Sequence, residues 1–134
     1  MKKIALFIIL IISTLAVAQK KATTKEPNIK TEKYTLYKTH AHASYYNDKF
    51  NGKRTASGRR FNNSKFTAAH KKLPFGTKLK ITNEKNNKSV IVEVIDRGPY
   101  SKRREIDLTK KAFMKIASNK GSGSLKVKIE VLKN

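Results

Sequence analysis

The chain carries 31 Lys and Arg residues but only nine Asp and Glu, so the carboxylates able to exchange a proton can be weighed one by one. Glu26 and Glu32 lie in a lysine-rich stretch with almost no large apolar residue. Glu84 sits in a polar loop, and Glu130 takes an outward position in an alternating segment. Asp96 stands apart. It closes the apolar run from Val90 to Ile95 and precedes Arg97-Gly98-Pro99-Tyr100, where Gly and Pro must end a strand. Side-chain alternation puts Val90, Val92 and Val94 on one face, with Asp96 next in parity, and Ile91, Glu93 and Ile95 on the other. A carboxyl group at that junction is either a cap for turn amides or a partly desolvated general acid. Asp48 and Glu105 remain as further candidates. Asp107, just ahead of a predicted helix, is expected to be structural, because a carboxylate there can cap amides and favour the dipole.

The three histidines invite the same question. His40 and His42 alternate onto one strand face, but no third ligand accompanies them and cysteine is absent. Neither a metal nor another cofactor is therefore expected. His70 ends the short apolar run Phe66-Thr67-Ala68-Ala69. Taken alone, it reads as a structural histidine rather than a catalytic one.

The elements that must position these groups are mostly strands. The pattern predicts strands over 40–46, 66–70, 77–82, 89–95 and 125–131, the last alternating Leu125, Val127, Ile129 and Val131 with Lys126, Lys128 and Glu130. With both faces apolar, the 89–95 strand is expected to be central. Asn86-Asn87 suits the hairpin ahead of it. A single helix is predicted over 109–117, with Thr109 as N-cap, Ala112, Phe113 and Ile116 as its apolar stripe, and Gly121 beyond its end. Between the first two strands runs a long loop containing Gly52, Gly58 and Asn62-Asn63. Many short strands with one helix point to a small closed barrel.

The chain of 134 residues has room for one domain. Lys2-Lys3, the apolar run from Ile4 to Leu15, and Ala16-Val17-Ala18 have the three parts of a secretory signal peptide, too short in its apolar part to span a bilayer. Residues 1–18 are thus expected to be removed on export. Residues 19–38 form a basic, disordered tether, and residues 39–134 the folded domain. The formal net charge of +22 suits anionic polymers of a cell wall, or any polyanion, as partners. No nucleic-acid-binding motif accompanies that charge.

Several spaced blocks then add up. Ala43-Ser44-Tyr45-Tyr46 is followed by Thr55-Ala56-Ser57-Gly58, Thr67-Ala68-Ala69-His70, Leu73-Pro74-Phe75-Gly76-Thr77, Asp96-Arg97-Gly98-Pro99 and Ile106-Asp107-Leu108-Thr109. In this order, over roughly residues 42 to 132, the chain resembles the rare lipoprotein A family. That resemblance implies a mainly β fold, a small six-stranded double-psi β-barrel with one short helix, shared with expansins. It also implies an endolytic lytic transglycosylase acting on peptidoglycan glycan strands, preferably those stripped of stem peptides. Asp96 matches the family's catalytic Asp and His70 its active-site His, while Tyr46, Thr55, Arg59, Arg97 and Tyr100 fall where substrate would bind. The family usually carries Glu where this chain has Arg59, and its lipid-bearing Cys is missing. A periplasmic or secreted, unanchored monomer is therefore expected, free of the membrane once its signal is cleaved.

A lytic transglycosylase can use the 6-hydroxyl of muramic acid as its nucleophile. One group can then serve as acid first and base later, whereas a glycoside hydrolase commonly needs two carboxylates. Asp96 would be that group, with His70 orienting it by a hydrogen bond, and Arg59, if close, would favour its ionised form. A non-lytic, expansin-like wall-binding protein is the competing reading, favoured by Arg59.

Overall fold

The computed structural model describes residues 33–133; the expected signal peptide and most of the expected tether lie outside the described residues. Six strands and one helix follow in order: β1 (Tyr34–Tyr45), β2 (Thr67–His70), β3 (Lys78–Asn83), β4 (Ser89–Asp96), β5 (Ile106–Leu108), α1 (Lys110–Ile116) and β6 (Leu125–Leu132). The strands close into a barrel in the order β1-β5-β2-β4-β3-β6. β1 pairs with β5, and β2 with β4, in parallel; the remaining ladders are antiparallel. Closure leaves no free edge for another chain to add to.

Alternation along the strands fills the interior. Leu79 and Ile81 of β3, Val90, Val92 and Val94 of β4, Ile106 and Leu108 of β5, and Val127 and Ile129 of β6 are all buried in one cluster. α1 adds Ala112, Phe113 and Ile116 to that cluster and packs against β4, β1 and β5. A helix of 7 residues would not persist by itself in water, so tertiary contacts must hold it. Thr109 Oγ1 accepts from the Ala112 amide at 3.4 Å, and Asn63 Oδ1 from the Lys110 amide at 2.7 Å. At the other end the Ile116 carbonyl accepts from Asn83 Nδ2 at 2.8 Å and Asn86 Nδ2 at 3.0 Å. The helix stops on these side-chain amides, with Ala117 in an extended conformation as its C-cap, and Gly121 takes no part. Asn87 adopts a φ of 59° in the β3–β4 turn, the conformation that its residue type tolerates.

Two sequence expectations need correction, and one strand was missed. β1 begins at Tyr34 and pairs with β6 from Tyr34↔Leu132 onward, so the barrel starts inside the stretch expected to be tether. β5 was not legible as a strand, because three residues are too few to show a period. β4 is flanked on both sides, as expected of a central strand, but not because both its faces are buried: Ile91 is 39% exposed on the outer surface. Closure of the barrel, rather than a second covering layer, supplies β4 with its neighbours.

Candidate active site

The position of Asp96 depends on one irregularity. β2 and β4 pair as Thr67↔Glu93 and Ala68↔Val94, then as Ala69↔Asp96, so Ile95 is an extra residue in the ladder. A bulge of this kind re-aims the side chain that follows it. Paired residues face the same side of a sheet, and Ala69 also pairs with Asp107 of β5. Asp96 therefore leaves the valine face, contrary to its parity, and joins Asp107 on the outer face of the barrel. Glu93 shares that face, where alternation alone had pointed it away. With two strand spacings between them, the Asp96 and Asp107 Cα atoms are roughly 10 Å apart.

Asp96 is seated by three donors. The Tyr46 hydroxyl donates to Oδ2 at 2.7 Å, and the amides of Ala56 and Arg97 donate to Oδ1, each at 2.9 Å. The Ala56 amide reaches Asp96 because the Thr55–Arg59 loop is folded back onto the end of β4. Ser57 donates its amide to the Ile95 carbonyl at 3.2 Å, and Thr55 closes the loop by donating both its amide and its hydroxyl to the Arg59 carbonyl, at 2.8 and 2.6 Å. Gly58, at φ +87°, makes that reversal possible. Tyr46 is held in turn by ring contacts to Phe61 and Phe50, with centroids 4.4 and 5.7 Å away. Burial, and then its bond to Asp96, push the Tyr46 phenol well above its ordinary range.

Asp96, Tyr46, Arg97, Tyr100 and Asp107 line one groove of about 590 Å³, together with Tyr45, Phe50, Lys49, Lys53, Arg54 and Arg104. Asp107 does not cap the helix, which Thr109 does. Its Oδ1 accepts from the Ser44 hydroxyl at 2.5 Å and from Arg104 Nη1 at 3.1 Å, so it is a fixed, charge-paired wall of the groove. Neither its groove position nor the basic rim of Lys49, Lys53, Arg54 and Arg104 was foreseen. The signal that could have found Asp107 was Ile106-Asp107-Leu108 itself, a polar residue between two apolar ones.

His70, Arg59 and Thr55 do not line the groove. His70 is fully buried and makes no hydrogen bond to Asp96. Its Nδ1 accepts from the Lys72 and Leu73 amides, each at 3.1 Å. Nε2 must therefore carry the proton, and it bonds Glu105 Oε1 at 3.0 Å. Burial holds the imidazole below its usual pKa, against the pull of Glu105. For Glu105 itself burial acts upward, but the bonds from Lys38 and His70 outweigh it and keep the carboxyl below its usual range. Arg59, expected to bind substrate, pairs instead with Glu93, which also receives Lys78 at 3.2 Å. Thr55 is buried within its own loop. Arg97 contributes its amide to Asp96, while its guanidinium bonds the Leu73 carbonyl at 2.8 Å and lies 4.0 Å from the Phe75 ring centre. Among the described residues no three His, Asp or Glu side chains gather as a metal site would require.

Comparison with known proteins places this geometry. The profile of a double-psi β-barrel family described as lytic transglycolase matches residues 38–129. The endolytic peptidoglycan transglycosylase RlpA of Rickettsia felis is 52% identical over 96 residues, which are 69% of this chain and 42% of that protein. The probable endolytic peptidoglycan transglycosylase RlpA of Aquifex aeolicus is 52% identical over 75 residues, 56% of this chain and 33% of that protein. The chain thus spans less than half the length of these relatives. Among solved structures, a point mutant of Clavibacter michiganensis expansin in complex with cellohexaose superposes with a TM-score of 0.57 at 18% identity, over 71% of this chain and 50% of the expansin.

Proposed function

The chain belongs to the lytic transglycolase family of double-psi β-barrel proteins, and from that premise we propose that it is an exported endolytic transglycosylase, cleaving peptidoglycan glycan strands to leave 1,6-anhydromuramyl ends. The observation that carries this reading is the seat of Asp96, a carboxylate held by three donors on the wall of an open groove of about 590 Å³. A group that acts first as acid and then as base needs a neighbour compatible with both forms. The Tyr46 hydroxyl is one, since it can donate to the carboxylate or accept from the carboxylic acid. Asp96 would protonate the glycosidic oxygen and then take the proton of the 6-hydroxyl as that oxygen attacks the anomeric carbon. The groove walls would supply the alignment that makes the internal attack fast.

Asp107 bears on the choice between this route and hydrolysis. A hydrolase commonly needs a second carboxylate to activate water or to attack, and Asp107, the other carboxylate of the groove, has its Oδ1 held by Ser44 and Arg104. The basic rim favours an anionic glycan or another anionic wall polymer as partner. One observation favours a non-lytic, expansin-like role: Arg59 stands where the family usually carries Glu, and it is spent on Glu93. Incubation with purified sacculi, followed by mass spectrometry of the released fragments, separates the two. Anhydro ends are expected. New reducing ends would identify a hydrolase instead, and no release with retained wall binding would select the expansin-like role.

A further inference from the structure

Asp96 is the last residue of β4 that the sheet itself holds. Its pairing with Ala69 ends the ladder, and Gly98, at φ +118°, comes two residues later. Backbone that has left a ladder and meets a glycine can swing unless a side chain fastens it. Arg97 stands between them, and its amide donates to Asp96 Oδ1 at 2.9 Å. Its guanidinium runs back to the turn that follows β2. Nη1 donates to the Leu73 carbonyl at 2.8 Å and to the His70 carbonyl at 3.3 Å, and Cζ lies 4.0 Å from the centre of the Phe75 ring. That turn is itself held, because the fully buried His70 accepts the Lys72 and Leu73 amides at Nδ1. The Arg97 side chain is thus a strap from the end of β4 to a fixed post, with its guanidinium spent inside the protein.

The strap serves one oxygen of Asp96 and not the other. The Ala56 and Arg97 amides both aim at Oδ1, and an amide N–H can only donate. With both lone pairs of Oδ1 taken, the proton that Asp96 carries as an acid belongs on Oδ2. The partner there, the Tyr46 hydroxyl, can donate or accept. We propose that Arg97 is a positioning residue: its guanidinium, clamped to the 70–73 turn and to Phe75, keeps its own amide aimed at Oδ1, so that the transferable proton stays on Oδ2. Arg97 does not itself hold the glycan. The inference rests on the glycan-cleaving reading for its consequence in turnover, and on geometry alone for the strap.

The test uses the full chain with Arg97→Lys, which keeps the charge but is shorter and has no planar face to lay on Phe75. A second variant, Phe75→Leu, loosens the same strap at a ring that is 42% exposed. It leaves the core intact and serves if Arg97→Lys fails to fold. Turnover of glycan strands to anhydro ends should fall about ten- to hundredfold in Arg97→Lys and roughly severalfold in Phe75→Leu, the scale of a misaimed reacting group. The half-saturating strand concentration should stay within about twofold. Asp96→Asn chains with and without either change should bind the strands equally. The amide proton of residue 97, followed by NMR in the native chain and in Phe75→Leu, reports the bond without catalysis. Donation to a carboxylate should place it downfield in the native chain, and it should move upfield in the variant. An unmoved amide proton, or native turnover in either folded variant, would overturn the positioning role. Weaker strand binding at unchanged turnover would overturn it too, and would give Arg97 to the substrate. A native chain that releases no anhydro ends, while the amide proton still moves, would sink the glycan-cleaving reading and leave the strap standing.

Discussion

At the scale of single residues, the chemistry is concentrated in how Asp96 is held. Of its three donors, two are backbone amides that no substitution at their own positions removes short of proline. Tyr46 is the exception. Tyr46→Phe keeps the ring against Phe61 and Phe50 but deletes the donor to Oδ2. A hydrogen bond to a charged group is worth about 1.5–3 kcal/mol. Anhydro-product release should therefore fall roughly ten- to hundredfold in Tyr46→Phe, with a melting temperature lowered by several degrees but the chain still folded at assay temperature; an undiminished rate would remove Tyr46 from the proton chemistry. Arg59 poses a different test. It sits against Glu93, not Asp96, so Arg59→Glu would set two carboxylates together and loosen the loop that supplies the Ala56 amide. Arg59→Glu alone should lower both activity and melting temperature, and the exchanged pair Arg59→Glu with Glu93→Arg should recover both. A single change that raised lysis would mean that Arg59 acts on Asp96 after all. The conflict could not be read in the sequence, because it depends on one bulge. Simple parity keeps Glu93 and Asp96 apart, and the extra residue Ile95 puts them on one face.

At the scale of elements, the long alternating strands were legible and the short ones were not. β3, β4 and β6 carry enough residues for a period of two to stand out, and Thr109 announces the helix. β5, with three residues, shows no period, yet it sets Asp107 opposite Ala69 and so builds half of the groove. β2 carries the other hidden feature, the burial of His70 at its end. His70 is neutral in the fold and faces Glu105, Arg97 and Lys71. Its folded pKa lies below that of the unfolded chain, so the unfolded chain takes up the proton first. The stability due to this residue is fully present above about pH 6.5 and is lost as pH falls below it. The melting temperature should accordingly drop between pH 7 and pH 5.5, and a His70→Gln chain, measured alongside, should show a shallower drop. Equal slopes in the two chains would mean that His70 does not titrate on unfolding.

At the scale of the whole molecule, charge and cleft act together. The formal net charge of +22 is a long-range attraction for an anionic wall, screened as the Debye length shrinks from about 10 Å at 0.1 M salt to about 3 Å at 1 M. Retention on sacculi should weaken severalfold across that range; retention independent of salt would assign the affinity to contacts within the groove alone. Composition made this property plain, since it needs no fold to be read. The location of the cations did not follow from composition, because the long loop that carries Lys49, Lys53 and Arg54 meets β4 and β5 only when the barrel closes.

The most direct test of the central claim compares the native chain with Asp96→Asn on the same sacculi. Asn can keep both backbone amides on its oxygen and donate its amide to the Tyr46 oxygen, so the fold and the groove should persist. Only the transferable proton is lost. The melting temperature and sacculus binding should match those of the native chain, while release of fragments with 1,6-anhydromuramyl ends falls by about 10²–10⁴-fold. Release of those fragments at the native rate by a folded Asp96→Asn chain would contradict the assignment of Asp96 as the acid and base of the reaction.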